Sequence, residues 1–313
     1  MRKLLLLTLL PLYLWADAHL FVFHRFDDTR HLSTNTSTQI LRAEFEYLKN
    51  NNYEVVSLER LHEALQKGEE ISDKWVVLTI DDSFKSFYEN GLPIFKEYNY
   101  PFTLFVYVKA TVDNYGDYMS WEQIKESSKY GEIGFHSYGH PHLVSLTDLK
   151  IYQDTKKGLD IMQKELGYKP KYYAYPYGEY DGRVRSQLEL FSFDLIINQN
   201  AGAVDKHSDA HDLDRTALTG ANNIKVKLRT RTMPTEWIYP KAWPENGKIS
   251  TLKANLSKEV KKIEYYISGH GWKTASLKDG KLSTKVDKKL KMKRTRIFLK
   301  SGNRQSSIIL VKP

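Results

Sequence analysis

Short β-rich runs alternate with helical patterns over residues 19–220, and this alternation limits the possible folds more than any other feature of the sequence. The helical patterns repeat apolar residues along one helix face, and Ser120 with Gln123 has the spacing of a capping box. Strands that alternate with helices pair in parallel, so we expect an α/β domain built as a barrel or a doubly wound sheet. The β-rich runs are residues 20–23, 75–80, 102–108, 132–135, 172–175 and 193–197.

The pattern changes after Gly220. Helical periodicity fades, and short candidate strands at residues 224–229, 263–268 and 308–311 are separated by turn signals. Residues 222–313 contain 23 Lys and Arg against 6 Asp and Glu, a net charge of +17, whereas the whole chain carries +9. We therefore expect an α/β domain over residues 19–220 and a small, basic, all-β domain over residues 221–313.

The first 18 residues have the order of a secretory signal peptide. Three residues that include Arg2 and Lys3 precede an apolar run at 4–14, and a small-x-small sequence ends at Ala18. The run is much shorter than the ~20 apolar residues that span a bilayer. We expect export to the periplasm, the cell envelope or the medium. The sequence has no cysteine, so the fold is held without disulfides.

Two adjacent carboxylates, Asp81 and Asp82, directly follow the apolar run at residues 75–80. Adjacent residues at a strand end point in different directions, so one carboxylate can bind a metal while the other faces a water molecule. The alternative is that they cap the next helix, as aspartates often do. The pair is therefore a candidate metal ligand next to a candidate base.

Two histidines, His136 and His140, follow the β-rich run at residues 132–135. Imidazoles four residues apart can meet on one side of a helical turn. Two histidines and one carboxylate are a common set of protein ligands that leaves a metal position open. The alternative explanation is a pair of surface histidines.

Two other β-rich runs end in groups suited to a binding site. His24 follows the first run, and Tyr175, Pro176 and Tyr177 follow the run near residue 172. Tyrosine rings stack against sugar faces, although a tight turn with core aromatics explains the same residues. All these groups lie at the carboxyl ends of predicted parallel strands, where barrel enzymes assemble their active sites. We therefore expect them to form one site.

The first 220 or so residues resemble the polysaccharide deacetylase family, carbohydrate esterase family four, also called NodB-like. Thr79-Ile80-Asp81-Asp82-Ser83 resembles the first family motif, usually Thr-Phe-Asp-Asp-Gly, and His136-Ser137-Tyr138-Gly139-His140 matches the second, His-Ser/Thr-x-x-His. The resemblance implies a distorted (β/α) barrel of the NodB-like type. It also implies that Asp81 is the catalytic base and that Asp82, His136 and His140 bind a divalent metal.

The sequence departs from the family pattern in two places. Ser83 stands where glycine is usual, and residues 174–178 lack the arginine that usually begins the third motif and orients the base. Because it lacks this arginine and has a histidine on the first strand, the sequence resembles the branch of the family that deacetylates poly-N-acetylglucosamine. That similarity implies His24 as the general acid. Arg215 is a candidate to replace the missing arginine beside Asp81, the alternative being an ordinary surface charge.

The expected activity is metal-dependent hydrolytic deacetylation of N-acetylglucosamine residues in a polysaccharide. The ligand set suits Zn²⁺, Fe²⁺, Co²⁺ and Ni²⁺ alike. Alternatives are a peptidoglycan or chitooligosaccharide deacetylase, an O-acetyl esterase, and a non-catalytic glycan-binding protein that retains the metal site.

The basic C-terminal domain is expected to contact an anionic glycan or a membrane surface. A solvated lysine-rich face is the alternative. Nucleic acid is not an expected partner, because the chain carries an export signal. The candidate sugar-stacking groups of this domain are Trp237, Tyr239, Trp243 and Trp272.

Overall fold

The computed structural model describes residues 17–220 and 223–313. The predicted signal segment therefore lies outside the described residues, apart from Asp17 and Ala18. Ala18 is buried and exchanges backbone hydrogen bonds with Val204. Across the two described ranges, no helix has the length and apolar character needed to cross a membrane.

A parallel sheet forms the centre of the first domain. Its strands follow the order β10-β1-β5-β6-β7-β8-β9, and β4 adds to β5 outside this path. The β-rich runs predicted from the sequence all form strands of this sheet, which confirms the predicted α/β class. The strands of the domain are β1 (His19–Phe23), β2 (Arg25–Phe26), β3 (Asn35–Thr36), β4 (Glu54–Val55), β5 (Trp75–Ile80), β6 (Thr103–Val106), β7 (Glu132–Phe135), β8 (Tyr172–Ala174), β9 (Leu195–Ile197) and β10 (Thr216–Ala217).

The segment at residues 213–217 joins the two edges of this sheet. Leu213 forms a parallel bridge with Ile197 of β9, and Thr216 of β10 pairs with Phe21 of β1. The β9 edge and the β1 edge are thereby linked through a few residues of irregular chain. This arrangement is the distorted barrel that the family resemblance implied.

Helices cover the outside of the sheet, and two of them begin at residues whose side chains cap the helix. Ser120 and Gln123 form both hydrogen bonds of the predicted capping box, and the Thr147 side chain caps the helix that follows it. The helices are α1 (Thr38–Asn50), α2 (Leu58–Lys67), α3 (Leu92–Tyr98), α4 (Val108–Val112), α5 (Trp121–Ser127), α6 (Asp148–Leu166), α7 (Gly182–Leu188) and α8 (Ile224–Lys227), and a π-helical turn at Phe87–Gly91 precedes α3.

The second domain consists of two sheets that enclose their own core. The orders are β11-β18-β17-β14-β15 and β12-β13-β16, and buried residues such as Leu252 of β13 and Ile297 of β17 share one cluster between them. The all-β prediction is confirmed. The strands are β11 (Arg231–Thr232), β12 (Glu236–Tyr239), β13 (Lys248–Asn255), β14 (Lys262–Ile267), β15 (Gly271–Ser276), β16 (Lys281–Lys289), β17 (Arg294–Ser301) and β18 (Arg304–Val311).

The predicted strand at residues 224–229 is wrong, because this segment contains the short helix α8. The Asn223 side chain caps it, and Ile224 and Leu228, spaced one helical turn apart, are buried in the core of the first domain. The core of the second domain begins at Met233. Buried residues therefore belong to the first core up to Leu228 and to the second core from Met233, about ten residues after the predicted boundary at 220.

Candidate active site

The carboxyl ends of neighbouring parallel strands bring the predicted site residues to one edge of the barrel. β5 ends at Ile80 and is followed by Asp81 and Asp82, and β7 ends at Phe135 and is followed by His136. β1 and β8, in the same parallel sheet, lead directly to His24 and Tyr175. Because parallel strands end on the same side, residues distant in sequence become neighbours here.

Three side chains converge on one point. Oδ1 of Asp82 lies 3.1 Å from Nε2 of His140 and 3.5 Å from Nε2 of His136. The ligand atoms of all three residues lie within 4.8 Å of one another. Such spacing allows a single cation to contact all three.

The surroundings of these groups fit a metal ion. Nδ1 of His136 lies 2.7 Å from the carbonyl oxygen of Ala174, so this nitrogen carries the proton and Nε2 presents its lone pair. Burial lowers the pKa of His136 to about 4, which keeps the ring neutral at physiological pH. Oδ1 of Asp82 is buried and has no hydrogen-bond donor among the described residues. A divalent cation would satisfy that oxygen.

The backbone at the site adopts strained conformations. Ser83 has a φ of 56°, in the left-handed region, which explains why glycine is usual at this motif position. Hydrogen bonds hold one of these turns, since the N–H groups of Tyr138 and Gly139 donate to the carboxylate of Asp154. Clustered strain of this kind is typical of functional sites. The other non-glycine residues with positive φ at the site are Asp82, Ser137, His140 and Tyr177.

Asp81 forms a buried ion pair with Arg215. The two guanidinium Nη atoms donate to the two carboxylate oxygens, each over 2.7 Å, and Nη1 also donates to Thr79 Oγ1 over 2.8 Å. Both side chains are fully buried. Burial is the largest single influence and would raise the pKa of Asp81, but Arg215, His136 and His24 together outweigh burial and lower it. Asp81 is therefore ionised at neutral pH and held in a fixed orientation, the arrangement required of a base.

His24 lies beside the two carboxylates. Burial raises the pKa of Asp81 and Asp82, whereas nearby charges, including His24, lower it and prevail. Nδ1 of His24 is buried and lacks a hydrogen-bond partner among the described residues. The ring is thus near the proposed base and metal ligand, and no hydrogen bond from the described residues engages its Nδ1.

The third predicted group needs a correction. Tyr175 and Pro176 are buried, and the Tyr175 ring stacks on Tyr180 with 4.6 Å between ring centroids. They support the loop, so their side chains do not line a sugar site. Tyr177 is 38% exposed, and its ring lies 4.4 Å from that of His140. It is therefore the member of this group that faces the site.

Sequence reasoning missed a chain of contacts behind Tyr177. His142 stacks on Tyr177, with ring centroids 4.2 Å apart, and its Nδ1 lies 2.7 Å from Oε2 of the buried Glu179. Arg294 of the second domain pairs with Glu179 over 3.1 Å and donates to the Tyr177 carbonyl over 2.6 Å. Tyr177 lies between His140 and His142, so His142 supports the loop from behind. No local pattern marks Glu179 or Arg294.

Known proteins share this domain. Residues 68–196 match the family model described as polysaccharide deacetylase. The chain is 25% identical over 243 residues to the poly-beta-1,6-N-acetyl-D-glucosamine N-deacetylase of Escherichia coli K12, a match that covers 64% of this chain and 35% of that relative. The chain thus spans about a third of that protein.

Two solved structures have the same fold in the first domain. IcaB from Ammonifex degensii superposes with a TM-score of 0.59 at 25% identity, covering 65% of this chain and 92% of the other. The Streptococcus pyogenes deacetylase PplD superposes with a TM-score of 0.60 at 22% identity and the same coverage. The family match over residues 68–196, the fold and the motif residues agree, and the first domain is similar to the polysaccharide deacetylases.

Proposed function

We propose that this protein is an exported, metal-dependent deacetylase that hydrolyses the N-acetyl amides of N-acetylglucosamine residues in a polysaccharide. The observation that carries the proposal is the oriented Asp81–Arg215 pair next to the converging Asp82, His136 and His140. A polymer of the poly-N-acetylglucosamine type is favoured by the Escherichia coli relative and by the candidate acid on β1.

The proposed chemistry assigns a task to each end of the amide. A divalent cation at the three ligands would polarise the acetyl carbonyl and lower the pKa of water. Asp81 accepts the proton of the attacking water, because it is ionised and its orientation is fixed by Arg215. His24 donates a proton to the departing amine nitrogen, which leaves as a free amino sugar, and the products are acetate and the deacetylated residue.

Acetate release tests the activity directly. The full chain is incubated with poly-N-acetylglucosamine oligomers, peptidoglycan, chitooligosaccharides and an O-acetylated polysaccharide, with and without added Zn²⁺, Fe²⁺, Co²⁺ or Ni²⁺. Release from the first substrate in a metal-dependent manner is expected. Preference for another substrate would support the corresponding alternative. Binding of polymer without release under any condition would favour the non-catalytic glycan-binding protein.

Asp81→Asn is expected to lower turnover by about 10²- to 10⁴-fold, because the amide cannot accept the proton of water. The substitution keeps the shape of the side chain and leaves Asp82, His136 and His140 in place. Bound metal per protein, measured by mass spectrometry, should therefore stay at the wild-type level. Turnover above a tenth of the wild-type value would remove Asp81 from the role of base.

His24→Gln is expected to lower turnover by about 10²-fold or more with bound metal unchanged, because glutamine cannot supply a proton to the leaving nitrogen. His142→Gln is the matched control, since His142 lies behind Tyr177. The measurement is acetate release at saturating substrate after metal content has been verified. If His24→Gln works at the wild-type rate while His142→Gln does not, the acid is His142.

A further inference from the structure

Three aromatic side chains form a row on one face of the second domain. Phe298 of β17 pairs in register with Tyr266 of β14, and Tyr266 pairs in register with Trp272 of β15. The ring centroids of Tyr266 and Trp272 are 5.3 Å apart, and those of Tyr266 and Phe298 are 5.9 Å apart. We call Phe298, Tyr266 and Trp272 the ring row.

The ring row does not belong to the core of its own domain. The alternate residues of the same strands, Tyr265 and Ile267 on β14 and Ile297 and Leu299 on β17, point to the opposite face and are buried there. Trp272 is 51% exposed. Tyr266 and Phe298 are partly exposed beside it, and neighbouring aromatic side chains that reach the surface are typical of a binding surface.

The other candidate sugar-stacking residues have structural roles. Trp237, Tyr239 and Trp243 pack against the core of the second domain, and the Trp237 indole N–H donates to Ser306 Oγ. Of the four aromatic residues proposed from the sequence, Trp272 is the one that is exposed.

The face that carries the ring row also contacts the catalytic domain. Arg294 and Arg296 lie on the same face of β17 as Phe298, because side chains two and four residues apart share a face. Arg294 binds the carbonyl of Tyr177, and Arg296 donates to the carbonyl of Gln199 over 2.7 Å. Both arginines are half-buried at this contact, which joins the sheet to the loop of the active site.

The ring row therefore shares a sheet face with the contact to the active-site loop. Phe298 follows Arg294 by four residues, about 13 Å along an extended strand. Tyr177, which Arg294 binds, is adjacent to the metal ligand His140. A polymer bound at the metal site is long enough to reach the rings, whereas a single sugar is not.

We propose that the ring row is a distal polysaccharide-binding site, which holds the chain of the substrate by stacking of sugar rings on Trp272, Tyr266 and Phe298. The inference rests on the proposed function for the identity of its ligand. Flat aromatic rings present an apolar face to a sugar without requiring charge on it, so a neutral N-acetylated chain suits the site. The second domain then takes part in substrate binding beside its contact with the loop.

The test compares long and short substrates in the full chain. Trp272→Ala is expected to raise KM for poly-N-acetylglucosamine polymer about 3- to 10-fold, the loss typical of one aromatic contact, with kcat unchanged. KM and kcat for the N-acetylglucosamine disaccharide, the short substrate, should not change. Met292→Ala, an equally exposed side chain of the same domain outside the ring row, is the matched control and should behave as wild type. An equal effect on polymer and disaccharide, or none on either, would overturn the proposal.

Direct binding separates this inference from the proposed activity. Affinity electrophoresis in gels that contain the polymer should show weaker retardation of Trp272→Ala than of Met292→Ala, whether or not the wild type releases acetate. Failure of acetate release with this difference present would reject only the activity. Retardation that salt abolishes and Trp272→Ala leaves unchanged would assign binding to the lysines and reject the ring row.

Discussion

Arg215→Met is expected to destabilise the protein by about 3–5 kcal/mol, because it leaves the fully buried carboxylate of Asp81 without its partner. The substitution also removes the main group that lowers the pKa of Asp81, so that pKa rises and the ionised base is less populated. Acetate release should fall with stability. Urea denaturation gives the free energy of unfolding, and acetate release at a temperature where the variant is folded gives the activity.

Two further variants distinguish a buried pair from a general loss of charge. Arg183→Met removes an arginine that pairs with Asp148 at the surface, and should cost at most about 1 kcal/mol. The double variant Asp81→Asn with Arg215→Met should be more stable than Arg215→Met alone, since it leaves no buried charge unpaired. A loss below 1 kcal/mol for Arg215→Met would show that the pair is dispensable for folding.

His140→Ala is expected to abolish tight metal binding and to lower acetate release by about 10³-fold or more, because the several kcal/mol of charge stabilisation that a cation supplies is lost. His142→Ala, two residues along the same loop, keeps all three predicted ligands and should retain the metal. The first measurement is the molar ratio of bound metal to protein after gel filtration. The second is the rise in thermal stability when Zn²⁺, Co²⁺ or Ni²⁺ is added.

Chelation provides the complementary result. Treatment of the wild type with a chelator should remove activity, and one of the four metals should restore it. His140→Ala should not be restored by the same metal at the same concentration. Full activity of the wild type after chelation, with no metal detected, would contradict the assignment of Asp82, His136 and His140 as metal ligands.

Local signals in the sequence were sufficient for the elements and for much of the site. The period of apolar residues, the capping box at Ser120 and the turn signals depend on interactions between neighbouring residues, so they can be recognised without a fold. The strand-end positions of Asp81, Asp82 and His136 follow from the same patterns. The failure at residues 224–229 has the same origin, because a short apolar run fits a strand or a buried helical turn equally well.

Arg215 marks the limit of such reasoning. The sequence makes it a candidate partner of Asp81 but equally allows an ordinary surface charge, and the contact spans 134 residues of sequence. Only the pairing of the 213–217 segment with β9 and β1 brings its side chain into the barrel. Likewise, Tyr175 is as aromatic as Tyr177, and burial alone separates the supporting ring from the one that faces the site.

The sequence by itself determined the two-domain α/β and all-β organisation, the motif residues and the strand ends that carry them, since these depend on local periodicity and spacing. The tertiary structure decided which distant groups meet: Arg215 with Asp81, Arg294 with the Tyr177 loop, and Phe298 with Tyr266 and Trp272. Those contacts depend on strand register and domain packing. Register and packing are set by buried surface and charge pairing over the whole fold, so they cannot be read from a short stretch of sequence.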